Sequence, residues 1–415
     1  MNDKTMKEPL IRFDGFTGDW VQDTLGNLAD IFDGTHQTPQ YTDFGVKFVS
    51  VENIATLETN KYISQDAYEK EYSKKPVEKG DILMTRIGDV GTARLVLTSE
   101  PLAYYVTLAL LKPKDVEPHF LVWRISSPQV QKDIWKRTLH IAFPKKINLG
   151  EINQVQLVLP ALPEQTAIGS FFSTLDSCIE INQRRLDLTK KYKEAMLQKM
   201  FPKNGEVVPE VRFDGFANAW EQRKLGDVIE KLNGGASIEP NDYQKIGIRT
   251  IPKGAVNESG VANLSGSKFI SSDFYKRNIA SSVSSMELVT SLRDLVPSAP
   301  NMGRIVRIVS SPEDFLMPQG VYSLKLKLDM DEDFLIAYSN TEKYRRIISA
   351  EKNGSTQVHI RNGEFLNINI PLPRYKEQAA IGLFFSTLDR TITFHQRELE
   401  LLKQVKKSLL QKMFI

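Results

Sequence analysis

The stretch EQTAIGSFFSTLDSCIEINQRRLDLTKKYKEAMLQKMF, Glu164–Phe201, returns 213 residues later as EQAAIGLFFSTLDRTITFHQRELELLKQVKKSLLQKMF, Glu377–Phe414. Each copy follows a proline-rich stop (LPALPEQ, PLPRYKEQ), opens with glutamate in its first turn and has no internal proline. That pattern predicts a helix of roughly 37 residues and, at about 1.5 Å per residue, roughly 55 Å. Alternating steps of four and three from Ile168 meet Phe172, Leu175, Ile179, Asn182, Leu186, Thr189, Lys193, Met196 and Met200. From Ile381 they meet Phe385, Leu388, Ile392, His395, Leu399, Leu402, Lys406, Leu409 and Met413. This is an apolar seam of period about 3.5, the pattern of a coiled coil. A stripe so narrow on a long polar rod is hard to bury against a globular domain, so each rod is expected to pair with the other. Antiparallel pairing would let the segments between the rods sit at opposite ends. Asn182 lies 18 residues after Glu164 and 18 before Met200, and His395 lies 18 after Glu377 and 18 before Met413. They would then face each other as a polar layer that fixes register, or else turn to solvent at the seam's edge.

A shorter repeat precedes each of these segments. Arg12-Phe13-Asp14-Gly15-Phe16, with Trp20, Leu25 and Gly26, recurs as Arg212-Phe213-Asp214-Gly215-Phe216, with Trp220, Leu225 and Gly226. The chain thus reads phrase, variable segment and rod, twice over. Joining its ends would give a ring of two equal halves with a pseudo-two-fold axis. The phrases are expected to bolt the variable segments onto the rods, with Phe13, Phe16, Trp20 and their counterparts as packing residues. The expected boundaries are 1–20 for the opening segment, 21–160 for the first variable domain, 161–202 for the first rod, 203–220 for the linker and second phrase, 221–373 for the second variable domain, and 374–415 for the second rod. Short apolar runs (KFVSVENI, DILMTRI, ARLVLTS; GIRTIP, LRDLVPSA, RIVRIVS, VYSLKLKL) predict strands. PHFLVWRISSPQVQKDIWKRTL and EDFLIAYSNTEKYRRIISA predict a helical stretch late in each variable domain. The fold class is α+β, two mixed α/β domains separated by two long antiparallel coiled-coil helices.

At 415 residues the chain suits two domains, and 41% hydrophobic with 25% charged residues is an ordinary soluble composition. The single Cys178 allows no intramolecular disulfide, so a reducing cytoplasm is expected. The polar opening and the lack of any run near ~18 apolar residues point away from export and from a membrane partner. Lys+Arg 54 against Asp+Glu 51 leaves a net charge of only +3, so charge alone does not argue for nucleic acid. The sequence has no GxxxxGK, GxGxxG, HExxH or GxSxG motif, no Asp/Glu-x-Lys nuclease pair and no Asn-Pro-Pro or Asp-Pro-Pro tetrad. The five histidines are scattered, and no Cys/His cluster has metal-ligand spacing. A binding protein is therefore expected rather than an enzyme. Amide, hydroxyl and basic side chains gather in loops: Thr35, His36, Gln37 and Thr38; Thr85 and Arg86; Lys145, Lys146 and Asn148; Asn233; Asn301 and Arg304; Ser355, Thr356, Gln357 and His359. Such groups can pair with base edges, touch a thymine methyl or meet phosphate. Turns also call for many of the same residues.

The arrangement resembles the specificity (S) subunit of type I restriction-modification systems, and the resemblance covers essentially the whole chain. It rests on the proline-to-Glu-Gln junctions at 163–165 and 373–378, the Ile-Gly-x-Phe-Phe-Ser-Thr-Leu-Asp runs at 168–176 and 381–389, and the Leu-Gln-Lys-Met-Phe endings at 197–201 and 410–414. The phrase RFDGF and Gly80-Asp81-Ile82-Leu83-Met84-Thr85-Arg86 add to it, whereas Arg293–Ser298 departs from the family's Gly-Asp-Leu pattern. The resemblance implies a non-catalytic adaptor whose two target-recognition domains each read one half of an interrupted, asymmetric double-stranded DNA target. The rods would act as a ruler for the gap. It also implies two methyltransferase subunits gripping the scaffold and motor-nuclease subunits joining them. S-adenosylmethionine, ATP and Mg²⁺ would belong to those partners, and this chain would need no cofactor. A competing reading shares the repeats and rods: a two-headed protein-interaction or carbohydrate-binding scaffold without DNA contact.

Overall fold

The computed structural model describes residues 8–203, 205–311 and 313–415. Packing divides the chain into two units, one formed by residues up to Gln183 together with Glu398–Ile415, the other by Arg184–Arg397. Both long repeats are helices, Leu162–Lys199 and Tyr375–Lys412. Each unit contains part of both. In the first, Phe172 lies against Phe414 with ring centroids 5.7 Å apart, and Lys406 pairs with Asp176. In the second, Phe385 lies against Phe201 at 5.8 Å, and Lys193 pairs with Asp389. Within each unit the early turns of one helix meet the final turns of the other, so the two run antiparallel there. Phe172, Asn182, Leu186, Phe385 and Leu399 are buried, and Leu175, Ile179, Leu388, Ile392 and His395 are half-buried. Asn182 spends its amide on the Cys178 carbonyl, 2.9 Å away in its own helix.

The opening phrases are joints. Arg12 donates to both carboxylate oxygens of Glu164 at 2.8 and 2.7 Å, and Arg212 does the same to Glu377 at 2.7 and 2.7 Å. These two-pronged pairs are planar and strongly directional. The Ile11 N–H donates to the Lys412 carbonyl at 3.0 Å, and the Val211 N–H to Lys199 at 2.9 Å. Ile11, just ahead of the first phrase, is thus tied to the end of the second helix as Val211 is tied to the end of the first. Gly15 and Gly215 share a φ of 88°, a left-handed turn that a residue with a Cβ would strain.

The Glu-Gln junctions serve the same joint. The Gln165 side chain accepts from the Glu117 N–H at 3.0 Å and donates to the Pro160 carbonyl at 2.9 Å; Gln378 accepts from Asp331 and donates to Pro373 at the same distances. One turn on, a Cβ at Gly169 would lie 2.4 Å from Glu117 Oε2, and one at Gly382 would lie 2.3 Å from Asp331 Oδ1. Glycine lets the rod touch the capped start of the domain helix in each unit.

Each unit holds a four-stranded antiparallel sheet. The first orders its strands Ala29–Asp33, Leu108–Pro113, Ile82–Thr85, Ala93–Leu95, and the second Ile229–Gly234, Val321–Leu326, Leu288–Ser291, Ile305–Arg307. The central Ile82–Thr85 and Leu288–Ser291 are buried on both faces, so they read as apolar runs rather than alternations. A second layer differs: three strands (Tyr62–Ile63, Val46–Val49, Leu102–Tyr104) in the first unit and five in the second. LRDLVPSA, expected as a strand, pairs only at Arg293–Asp294, and its Leu295 and Val296 are exposed ahead of Pro297. Each expected helical stretch is two helices, Pro118–Ile125 with Pro128–Arg137 and Glu332–Ser339 with Glu342–Glu351. Pro128 has no N–H to continue the first, and Thr341 Oγ1 caps the second by accepting from the Tyr344 N–H at 3.3 Å. Among the described residues, no helix is long and apolar enough to cross a membrane.

Candidate nucleic-acid interface

The three loop groups of the first unit meet around Arg86. The strand Ala29–Asp33 runs into Gly34, where a Cβ would lie 2.5 Å from the Tyr105 carbonyl, and the chain then turns out through Thr35–Thr38. Arg86 follows the central strand. Its guanidinium pairs with Asp33, which also holds His36 Nε2 at 2.8 Å, and its Nε donates to the Ile147 carbonyl at 3.3 Å. The Ile147 N–H returns a bond to the Arg86 carbonyl at 2.9 Å, and the Gly88 N–H donates to Lys145 at 2.8 Å. Arg86 is 7% exposed and Thr85 is fully buried, its hydroxyl accepting from the Thr92 N–H at 2.9 Å. Both therefore hold the loops together and are not presented to solvent. The exposed groups are His36, Gln37, Thr38, Lys145, Lys146 and Asn148, with Thr35 half-buried.

The second unit assembles its loops differently. Val358–His359 pairs with Arg293–Asp294, which brings Gln357 to a cleft of about 270 Å³ beside Lys253, Arg293, Asn301 and Gln319. Ser355, Thr356, Gln357 and His359 are exposed, and Asn233 and Asn301 are half-buried. Arg304 is tied down: its Nε donates to the Pro300 carbonyl at 3.1 Å and its guanidinium also pairs with the side-chain oxygen of Asn340. Arg345 donates to Ala299 at 3.0 Å and Pro300 at 3.2 Å. Burial, reinforced by the neighbouring Arg304 charge, pushes Arg345 down to about 10. These two arginines fasten the 299–302 loop. Sequence reasoning missed a broader groove lined by Tyr243, Lys245, Lys253, Thr250, Lys268 and Phe269. Lys268 Nζ sits 4.5 Å over the Tyr243 ring. Lys245, Lys253 and Lys268 are too far apart along the chain to form a local cluster that the sequence would reveal.

The two units correspond residue by residue where the strands turn. The Val96 N–H donates to Asp81 at 2.8 Å and the Ile308 N–H to Glu287 at 2.9 Å; Ile147 donates to Arg86 at 2.9 Å and Ile360 to Leu292 at 3.0 Å. The counterpart of Gly80–Arg86 is therefore Met286–Leu292, with Met286 at φ 75° where Gly80 has 98°. Arg293–Ser298, where the sequence departs from the Gly-Asp-Leu pattern, begins one residue beyond that counterpart.

A family model described as "Type I restriction modification DNA specificity domain" matches residues 18–190 and again 218–404. The chain belongs to that family. Membership places it among specificity subunits, not among the catalytic chains of such systems. The type I restriction enzyme MjaVIII specificity subunit of Methanocaldococcus jannaschii is 22% identical over 62% of this chain and 60% of that protein. The putative MjaX specificity subunit of the same organism is 23% identical over 94% of this chain and 92% of its own length. The crystal structure of a type I restriction-modification S subunit from M. genitalium shares the fold, with a TM-score of 0.67 over 98% of this chain and 99% of that one at 14% identity.

Proposed function

We propose that this chain is the DNA-reading subunit of a cytoplasmic type I restriction-modification complex, with recognition domains at 21–160 and 221–373 that each read one half of an interrupted, asymmetric duplex target. One observation carries this reading: the two units repeat the same joints and the same inner sheet, yet present different side chains at the equivalent loops. Two readers of different sequence on one scaffold need that combination. Net charge is low, and phosphate contact then falls largely to partner subunits and to local lysines such as Lys145, Lys146, Lys245 and Lys268.

The helices also carry apolar residues away from their seam. Ile181, Leu188 and Tyr192 are exposed on one, and Phe394, Leu401 and Val405 at the equivalent positions on the other. Two matching stripes suit two copies of one partner, which we assign to two methyltransferase subunits, with motor-nuclease subunits added for cleavage. The helix pair is the ruler. Inserting about four residues into each helix adds roughly 6 Å. Sequencing of methylated bases in cells that express the altered chain with its methyltransferase should show a longer unread gap and unchanged half-sites. An unchanged gap would refute the ruler, and loss of salt-dependent duplex binding by the unaltered complex would refute DNA reading itself.

A further inference from the structure

The hairpin Leu139–Lys146 in the first unit ends in side chains that nothing covers. Ile141 is 99% exposed and Phe143 103%, so no neighbouring atom shields either one. The base of the hairpin is held. The Leu139 N–H donates to the Lys146 carbonyl at 2.8 Å, Lys146 also bridges to Ile87, and the His140 ring lies 4.4 Å from that of Trp135. Large apolar side chains presented on a fixed stalk signal an interaction. The surrounding charge says with what. Lys145 and Lys146 flank the tip, Lys132 and Lys136 are exposed on the adjoining helix Pro128–Arg137, and none of the four carries an ion pair among the described residues. His36, Gln37 and Thr38 open from the neighbouring strand end, linked to the hairpin through Asp33, Arg86 and Ile147. An apolar tip ringed by free cations suits a polyanion that also offers flat apolar faces.

We propose that this hairpin is a wedge for duplex DNA: Phe143, supported by Ile141, inserts at a base step of the first half-site and unstacks it while Lys145 and Lys146 hold the flanking phosphates. The inference deepens the DNA-reading proposal and rests on it. Wedges of this kind give up stacking at one step and gain a bent duplex that meets more protein surface. The equivalent loop of the second unit, Asn353–His359, carries Gly354, Ser355, Thr356 and Gln357 and no aromatic residue other than His359 at its end. Its half-site should stay stacked and be read at base edges.

The test uses the full chain in complex with its methyltransferase and duplexes carrying 2-aminopurine at successive positions of both half-sites other than the methylated adenines, which the methyltransferase itself would flip out of the stack. The expected result is a fluorescence rise at one step of the first half-site and none in the second. Phe143→Ala should abolish the rise and weaken binding on the order of tenfold. Lys145→Ala with Lys146→Ala should keep the rise but flatten the slope of log affinity against log salt by about 2. Tight duplex binding without a rise at any step overturns the wedge. So does Phe143→Ala if it loses the methyltransferase while duplex affinity is kept, because the tip is then a protein contact. Failure of the wild-type complex to bind duplex at all overturns the DNA-reading proposal beneath it.

Discussion

At the turn after the central strand, the first unit places Arg86, bound to Asp33 of the neighbouring strand; the second places Leu292 there, with Gly234 in the position of Asp33. The backbone is the same at both sites. Gly34 and Gly235 each press against a carbonyl, of Tyr105 and Pro318, so closely that a Cβ would lie 2.5 and 2.1 Å away. The joints to the rods are another matter, because there the side chains themselves repeat: Arg12 with Glu164 and Arg212 with Glu377, Gln165 and Gln378, Gly169 and Gly382. The joint must present one geometry to both helices, so its chemistry is constrained. The turn needs only a filled space beneath it, and either an ion pair or a leucine fills it.

The joints offer the largest effect. Glu164 and Glu377 are buried, so Arg12→Ala or Arg212→Ala strands a carboxylate and should destabilise the altered unit by about 3–5 kcal/mol in urea unfolding. The two losses should differ. Trp220 Nε1 also donates to Glu377 at 3.3 Å, whereas Trp20 Nε1 has no partner among the described residues. Arg212→Ala should therefore be milder by about 1 kcal/mol, the worth of one retained hydrogen bond. Equal losses would show that the indole contributes nothing to the joint.

The turn comes next. Asp33→Ala leaves Arg86 buried with only carbonyl partners and should cost about 3 kcal/mol. Adding Arg86→Leu copies the second unit and should restore most of that loss, giving a coupling above about 1.5 kcal/mol in a double-mutant cycle. Simple additivity of the two changes would break the equivalence drawn between Arg86 and Leu292.

The sequence exposes these two kinds of region unequally. Glu164, Gln165, Gly169 and Phe172 recur at a fixed offset, and recurrence plus period is enough to find a rod and its joints. Leu102–Tyr104 and Leu108–Pro113 escape notice as strands, because AYYVTLALLKP is one apolar stretch with no Gly, Asn, Asp or Pro at the turn that divides it, and at that length it suits a buried helix as well as a strand. Arg86 and Arg304 resemble reading residues in the sequence since arginine suits both base edges and internal carbonyls; only the burial of one and the Asn340 contact of the other separate the two uses. Ile141 and Phe143 escape notice for the opposite reason. An apolar residue in a sequence defaults to core, and exposure is a property of the fold.

The smallest expected effect tests the other repeated pair, Lys193–Asp389 against Lys406–Asp176. The Asp389 side chain is 13% exposed and that of Asp176 31%. Burial pushes the Asp389 carboxyl up to about 6, helped by the charges of Asp333 and Glu258 and opposed by Lys193. A folded-state value above the unfolded one of about 4 means that the native chain favours the protonated acid. That contribution is complete below about pH 4 and is lost as pH rises to about 6. A rise of that size corresponds to about 3 kcal/mol before the surroundings of the carboxyl relax, so an observed change of about 2 kcal/mol is expected. Asp389→Asn removes the titration, and its stability relative to wild type should rise by that amount between about pH 4 and about pH 7 in urea midpoints. A flat difference across that range would show that Lys193 cancels the burial. An equally steep slope for Asp176→Asn would show that depth of burial is not what separates the two pairs.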